Sequence, residues 1–241
     1  MKILFVRHGD PDYELDSLTQ KGDVEAKLLA ERISKLKVDQ FYVSPLGRAK
    51  RTAMYTLDKM GREAIECDFL AEFRATCIRP DVDREIIMWD WMPADWTKDP
   101  IFYDKDHWWE SKLLKSDNAK SEYDYVVNSF DELLKNHGYV RENQYYRAEK
   151  PNNDTIVIFC HFGVTCVILS HLLGVSPMVL LHGLVAAPTS VTTVATEERQ
   201  QGIASFRVSS YGDISHLYVA DEPPAFAARF CECYTNEDER H

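Results

Sequence analysis

Four places in the sequence set cationic or titratable side chains beside a turn or a helix start. Arg7-His8-Gly9 follows the apolar run Ile3-Leu4-Phe5-Val6, and His161-Phe162-Gly163 follows Thr155-Ile156-Val157-Ile158-Phe159-Cys160. Arg48 lies just beyond Ser44-Pro45, and Glu72 stands in Leu70-Ala71-Glu72-Phe73. A guanidinium is a permanent cation with a planar fork of donors, and an imidazole changes charge near neutral pH. Two of each at one place would bind an oxyanion and could attack it or move a proton. An Arg-His pair leaving a strand is also an ordinary surface feature, so the elements that carry these residues must decide whether they meet.

The two apolar runs read as buried central strands. Ligands of open α/β sheets bind beyond the carboxyl ends of the strands, which is where Arg7, His8 and His161 fall. Gln40–Val43 and Ala64–Cys67 read as two further short strands. Thr19 reads as the cap of a helix carrying Val24, Leu28, Leu29 and Ile33 at helical spacing. Ser44 as cap and Pro45 at the first position open a second helix, which Gly61 ends. That start puts Arg48 in a first turn, where a cation opposes the helix dipole and sits beside free N–H groups. A bound anion would explain it, as would a surface carboxylate partner. Ser121 caps an amphipathic helix with Val126, Phe130, Leu133, Leu134 and His137, stopped by Gly138. Residues 139–153 read as a polar excursion, 164–173 as a helix, 191–196 and 203–209 as strands, and 214–219 as extended.

The expected architecture is therefore α/β. It is a three-layer sandwich with a mostly parallel central sheet and helices on both faces, forming one domain over residues 1–220. Residues of about 75–125 differ in composition and read as an acidic cap insertion, helical or irregular, holding all five tryptophans (Trp89, Trp91, Trp96, Trp108 and Trp109). These tryptophans form a satellite core, or some of them line a pocket. Residues 221–241 read as a loosely ordered tail.

The net charge of −11 argues against a nucleic-acid or anionic-membrane surface, although a local cationic pocket would still admit a small anion. The apolar stretch from Ile156 to Leu181 contains His161, Ser170, His171, Gly174 and Pro177, which suit a strand and helices better than a membrane span. No secretory leader is apparent, and the six cysteines show no disulfide framework, so reduced thiols in a cytoplasm are expected. Cys231 and Cys233 near His241 offer a weak metal-binding pattern. No nucleotide-binding glycine loop and no HExxH or EF-hand spacing is present.

Five motifs in order resemble the histidine phosphatase superfamily, in its phosphoglycerate mutase-like branch. They are Arg7-His8-Gly9, Leu18-Thr19-Gln20-Lys21-Gly22, Ser44 through Ala53 (SPLGRAKRTA), Leu70-Ala71-Glu72 and His161-Phe162-Gly163. The resemblance implies that His8 is the nucleophile, that Arg7, Arg48 and His161 bind the phosphoryl oxygens, and that Glu72 is the proton donor. It implies a small phosphorylated metabolite as substrate and neither cofactor nor metal. Glu14 stands where the mutases carry asparagine, so it is left out of the site. Phe162 replaces the acidic residue that some relatives place after the second histidine, which favours Glu72 as the acid.

On this reading His8 must be neutral to attack while His161 is charged, so the two imidazole pKa values should be pushed apart. A metal-independent phosphatase working through a phosphohistidine is the leading expectation. A mutase-type phosphotransferase is the alternative, and a non-catalytic phospho-ligand module a further one.

Overall fold

The computed structural model describes residues 1–79, 81–82, 84–114, 118–227 and 232–236. The chain begins with β1 (Lys2–Arg7), the short pair β2 (Pro11–Asp12) and β3 (Ser17–Leu18), α1 (Gln20–Ile33), β4 (Gln40–Val43), α2 (Gly47–Met60) and β5 (Ile65–Glu66). A hairpin of β6 (Thr76–Arg79) and β7 (Arg84–Ile87) follows, then α3 (Pro93–Trp96) and α4 (Ala119–Asn136). The remainder is β8 (Tyr139–Glu142), β9 (Tyr145–Ala148), β10 (Thr155–Cys160), α5 (Phe162–Leu173), α6 (Pro177–Gly183), β11 (Val191–Gln200), β12 (Ile203–Asp213) and α7 (Ser215–Val219).

An 8-stranded sheet in the order β5-β4-β10-β1-β11-β12-β9-β8 divides the molecule. β5, β4, β10 and β1 are mutually parallel, and only β11 and β9 run against the rest. The mostly parallel α/β sandwich expected from the sequence is the observed fold. β1 and β10 read as unbroken apolar runs because both of their faces are buried. Ile3 and Phe5 of β1, with Ile156 and Ile158 of β10, pack under Phe130 and Leu134 of α4 and Val164 and Ile168 of α5. Leu4 and Val6, with Val157 and Phe159, pack on the other side under Leu29 and Ile33 of α1 and Ala53 of α2.

Several local expectations differ from what forms. Helix α2 begins at Gly47 with Leu46 as its cap, so Ser44 and Pro45 lie outside it. The polar excursion at 139–153 contains the hairpin β8–β9, turned at Asn143 in a left-handed conformation (φ 56°). Its Tyr139 and Tyr146 are buried edge-on against Phe206, and that contact with distant β12 outweighs the polar local composition. Residues 215–219 form the short helix α7 rather than an extended segment.

The expected loose tail is also corrected for its first residues. Ala225 is buried, and its N–H donates to Glu25 Oε1 at 2.9 Å. Glu222 pairs with Lys21 at 2.8 Å. Residues 221–227 thus lie against the start of α1. Cys231 and His241 lie outside the described residues, and Cys233 is exposed. No helix among the described residues is long and apolar enough to cross a membrane.

Candidate active site

Parallel pairing sets Arg7 opposite Cys160, so the next residue on each strand is a histidine. The His8 and His161 rings lie 5.2 Å apart, centroid to centroid. The His8 backbone is held on both sides. Its N–H donates to the Cys160 carbonyl, and its carbonyl accepts from Thr189 N–H, both at 3.1 Å. His8 Nδ1 lies 2.7 Å from the Gly9 carbonyl. A carbonyl only accepts, so Nδ1 carries the proton and Nε2 keeps its lone pair. The turn after His8 sits tightly on α1. A Cβ on Gly9 would come within 2.8 Å of the Gly22 carbonyl, and one on Gly22 within 2.3 Å of the Asp10 carbonyl.

His161 caps α5 and is fully buried. Its Nε2 lies 2.7 Å from Ser44 Oγ. Its Nδ1 is buried without a partner among the described residues, and so are Arg7 Nε and Arg48 Nε. Three buried polar nitrogens left without acceptors around one pair of rings describe a site shaped for an oxyanion. Arg7 Nη1 is held by the Ala186 carbonyl and, at 3.2 Å, by the Ala227 carbonyl of the docked tail. Arg48 Nη1 donates to Asp16 Oδ1 at 2.6 Å, so the carboxylate-partner reading of Arg48 is correct for that nitrogen. Asp16 Oδ2 accepts from Gly47 N–H at the start of α2, also at 2.6 Å.

Glu72 Oε1 accepts from the Phe73 and Val164 N–H groups at 2.8 and 3.0 Å. Burial nevertheless pushes its pKa up, against those bonds and the Arg7 charge. Gly163 is required at this point. A Cβ there would come within 2.7 Å of Glu72 Oε1 and 2.5 Å of the Trp89 ring.

The five residues expected at the site are thus brought together, and Glu14 stays exposed outside it. The two imidazole pKa values move in the same direction rather than apart. Burial and the Arg7 charge hold His8 well below its ordinary pKa, and burial, His8 and Arg48 do the same to His161. Burial and the two guanidiniums both disfavour a proton on either ring, and among the described residues no carboxylate is hydrogen-bonded to them.

Sequence reasoning missed four supporting residues. Ser44, read as a cap, orients His161. Thr52 Oγ1 accepts from Gly9 N–H at 2.9 Å and donates to the Arg48 carbonyl at 2.8 Å, tying the His8 turn to α2. Asp16 holds Arg48. Glu25, fully buried, accepts from Asp10 N–H at 3.0 Å as well as from Ala225. Its burial raises its pKa to about 7. Only Ser44 and Thr52 lay inside a recognisable motif. Among the described residues no cluster of three or more His, Cys, Asp or Glu side chains is placed to hold a metal ion.

The family description of the histidine phosphatase superfamily (branch 1) matches residues 3–209. The chain belongs to that superfamily. A phosphoserine phosphatase-named protein of Hydrogenobacter thermophilus is 38% identical over 80 residues, which are 30% of this chain and 39% of that protein. A phosphatase-named protein of Schizosaccharomyces pombe is 22% identical over 231 residues, 90% of this chain and 95% of the relative. Among solved structures, a mutant phosphoserine phosphatase from Entamoeba histolytica in complex with phosphoserine shares the fold. Its TM-score is 0.61 at 19% identity, covering 90% of this chain and 98% of that one.

The neutral rings have a thermodynamic signature. Above about pH 6.5, where an unfolded imidazole is neutral too, they contribute no pH dependence. Below it the unfolded chain binds protons that the buried rings refuse, so stability falls as the pH falls. Replacing His161→Gln should flatten this acid limb between about pH 6.5 and 5, measured by urea denaturation. An acid limb unchanged by the replacement would mean that His161 takes up its proton as readily in the native protein as in the unfolded chain.

Proposed function

We propose that this histidine phosphatase hydrolyses small phosphomonoesters through a phosphohistidine at His8. The observation that carries this reading is the pairing of a fixed Nδ1–H tautomer on His8 with three unpartnered nitrogens around it. Phosphoryl transfer asks little covalent work of a protein beyond alignment and charge stabilisation. His8 Nε2 attacks phosphorus, and the bond from phosphorus to the ester oxygen breaks. Arg7 and Arg48 supply the charge that balances the equatorial oxygens. His161 needs no net charge for its part. With Ser44 donating to its Nε2, a neutral ring offers Nδ1–H to a phosphoryl oxygen. The Glu72 carboxyl gives its proton to the departing alkoxide, which leaves as an alcohol. Water then attacks the phosphohistidine while Glu72 takes its proton, and phosphate leaves with His8 neutral again.

The phosphatase names of the Hydrogenobacter and Schizosaccharomyces relatives support this class of reaction. Unpaired Cys77, Cys160 and Cys166 in the core suit a reducing cytoplasm.

Quenching the protein with labelled substrate in the steady state should trap an acid-labile, base-stable phosphoryl label that His8→Ala abolishes together with turnover. A mutase would instead pass the label to an added alcohol acceptor in preference to water. His8→Ala turning over at the wild-type rate would end the proposal.

Glu72→Gln keeps the shape of the side chain and removes the transferable proton. The kcat/KM for an alkyl phosphate, which reports formation of the phosphohistidine, should fall by ~10²-fold or more, and that for p-nitrophenyl phosphate, whose leaving group needs no proton, by much less. Equal losses in kcat/KM on both substrates would remove Glu72 as the acid of the first step.

Arg48→Ala should lower kcat/KM by ~10²-fold, as expected for one lost charge-stabilising donor. Arg51 is engaged by Asp23 and Tyr55 at 3.0–3.1 Å, and Arg51→Ala should cost far less. Equal losses from the two replacements would show that Arg48 acts only through its pairing with Asp16.

A further inference from the structure

A cavity of about 1030 Å³ opens directly off the site, and Arg7 and Phe162 form part of its wall. Because Arg7 belongs to both spaces, a phosphoryl group held by Arg7 has its ester substituent beside this cavity. The segment between β7 and α3 supplies much of the opposite wall, through Trp89, Trp91 and Trp96. Trp91 is buried, standing edge-on to Phe102 at 5.4 Å, and its part is structural. Trp89 and Trp96 are only partly covered. Trp89 is edge-on to Phe162 at 6.0 Å and packs against Gly163 beside Glu72, so its ring borders the point where the leaving oxygen takes its proton. Trp96 stacks on His182 at 4.7 Å. That imidazole faces Trp96 and the Met178 carbonyl, which Nδ1 reaches at 2.8 Å, with Asp90 nearby, and burial holds it neutral.

The charges in this wall are as informative as its rings. Arg79 is the cation beyond Arg7 among the described lining residues, and it is opposed by Asp81 at 2.6 Å and Asp90 at 3.2 Å. Asp90 itself lines the cavity. A leaving group with its own carboxylate or second phosphate would meet indole faces and Asp90, and among the described lining residues beyond Arg7 the one cation, Arg79, is already paired. Trp96 also packs on Tyr103 at 5.4 Å, and an apolar ring would pack against the indole surface that Trp89 and Trp96 give to the cavity, a contact worth ~0.5–1.5 kcal/mol per aromatic pair beyond area burial.

We propose that the substrates of this protein are monophosphates whose leaving group carries an uncharged aromatic ring, seated between Trp89 and Trp96, and that carboxylate-bearing phosphates are poor substrates. The proposal rests on the phosphatase reading above.

The test compares 2-naphthylmethyl phosphate, butyl phosphate, phosphoserine and 3-phosphoglycerate. All four release an alkoxide, so the demand on Glu72 is shared. The naphthylmethyl ester should show kcat/KM at least ~10-fold above phosphoserine and 3-phosphoglycerate, mostly through KM. Trp96→Ala should reduce the naphthylmethyl-to-butyl ratio several-fold, whereas Trp109→Phe, remote from the cavity wall, leaves that ratio in place. Binding is read separately. The His8→Ala protein titrated with 2-naphthylmethyl phosphate should show saturable quenching of tryptophan emission. Hydrolysis with phosphoserine or 3-phosphoglycerate equal to or better than the naphthylmethyl ester overturns this inference and leaves the phosphatase reading standing. Hydrolysis of none of the four overturns both. Flat tryptophan emission, or a naphthylmethyl preference that survives Trp96→Ala, removes the aromatic seat.

Discussion

The register between β1 and β10 is the constraint on which the site depends. Side chains alternate faces along a strand, so a slip of one residue would exchange the two buried faces of β1. Ile3 and Phe5 would turn toward α1 and α2, and Leu4 and Val6 toward α4 and α5, each into a space shaped for the other set. The core thereby prevents slippage, and with Arg7 opposite Cys160 it leaves two histidines side by side at the sheet edge. The imidazole pair is thus a product of hydrophobic packing several residues away, with no direct bond joining the rings.

Electrostatics then follows from burial. An acidic chain keeps a cationic pocket by answering its arginines with carboxylates that are themselves held by backbone N–H groups. Asp16 is fixed by Gly47, Glu72 by Phe73 and Val164, and Glu25 by Asp10 and Ala225. Backbone donors cannot rotate away, so these carboxylates keep their places while an anion comes and goes. Asp16 holds Arg48 Nη1 and leaves Nε for an incoming oxyanion. The guanidinium is therefore aimed before substrate arrives, which reduces the ordering required on binding.

Much of this was legible in the sequence, for identifiable reasons. The apolar runs 3–6 and 155–160 could only be central strands, and whatever followed them had to appear at one edge. The helix stripes on α1 and α4 were equally plain. The reading failed where partners come from far along the chain. Ser44 looked like a cap because serine before proline usually is one, and only its meeting with His161 shows otherwise. Tyr139 and Tyr146 looked like surface residues until Phe206 covered them. Imidazole pKa values pushed apart were expected from the two roles, but both rings share the same burial and the same two guanidiniums, which move both values down. Glu25 sat unremarked in a helix because its two partners are main-chain amides, which no side-chain pattern displays.

The carbonyl of Ala227 on Arg7 has a consequence for how the molecule comes into being. The two residues are 220 positions apart. A ribosome adding about 5–20 residues per second makes the arginine first and its acceptor some tens of seconds later. β1 must wait for both of its neighbours, β10 and β11, which come from residues 155–160 and 191–200, and Arg7 and Glu25 wait longer still for Ala227 and Ala225. The centre of the sheet and the anchoring of Arg7 are therefore both late events, and residues 221–227 are made only after β1 has the strands that flank it.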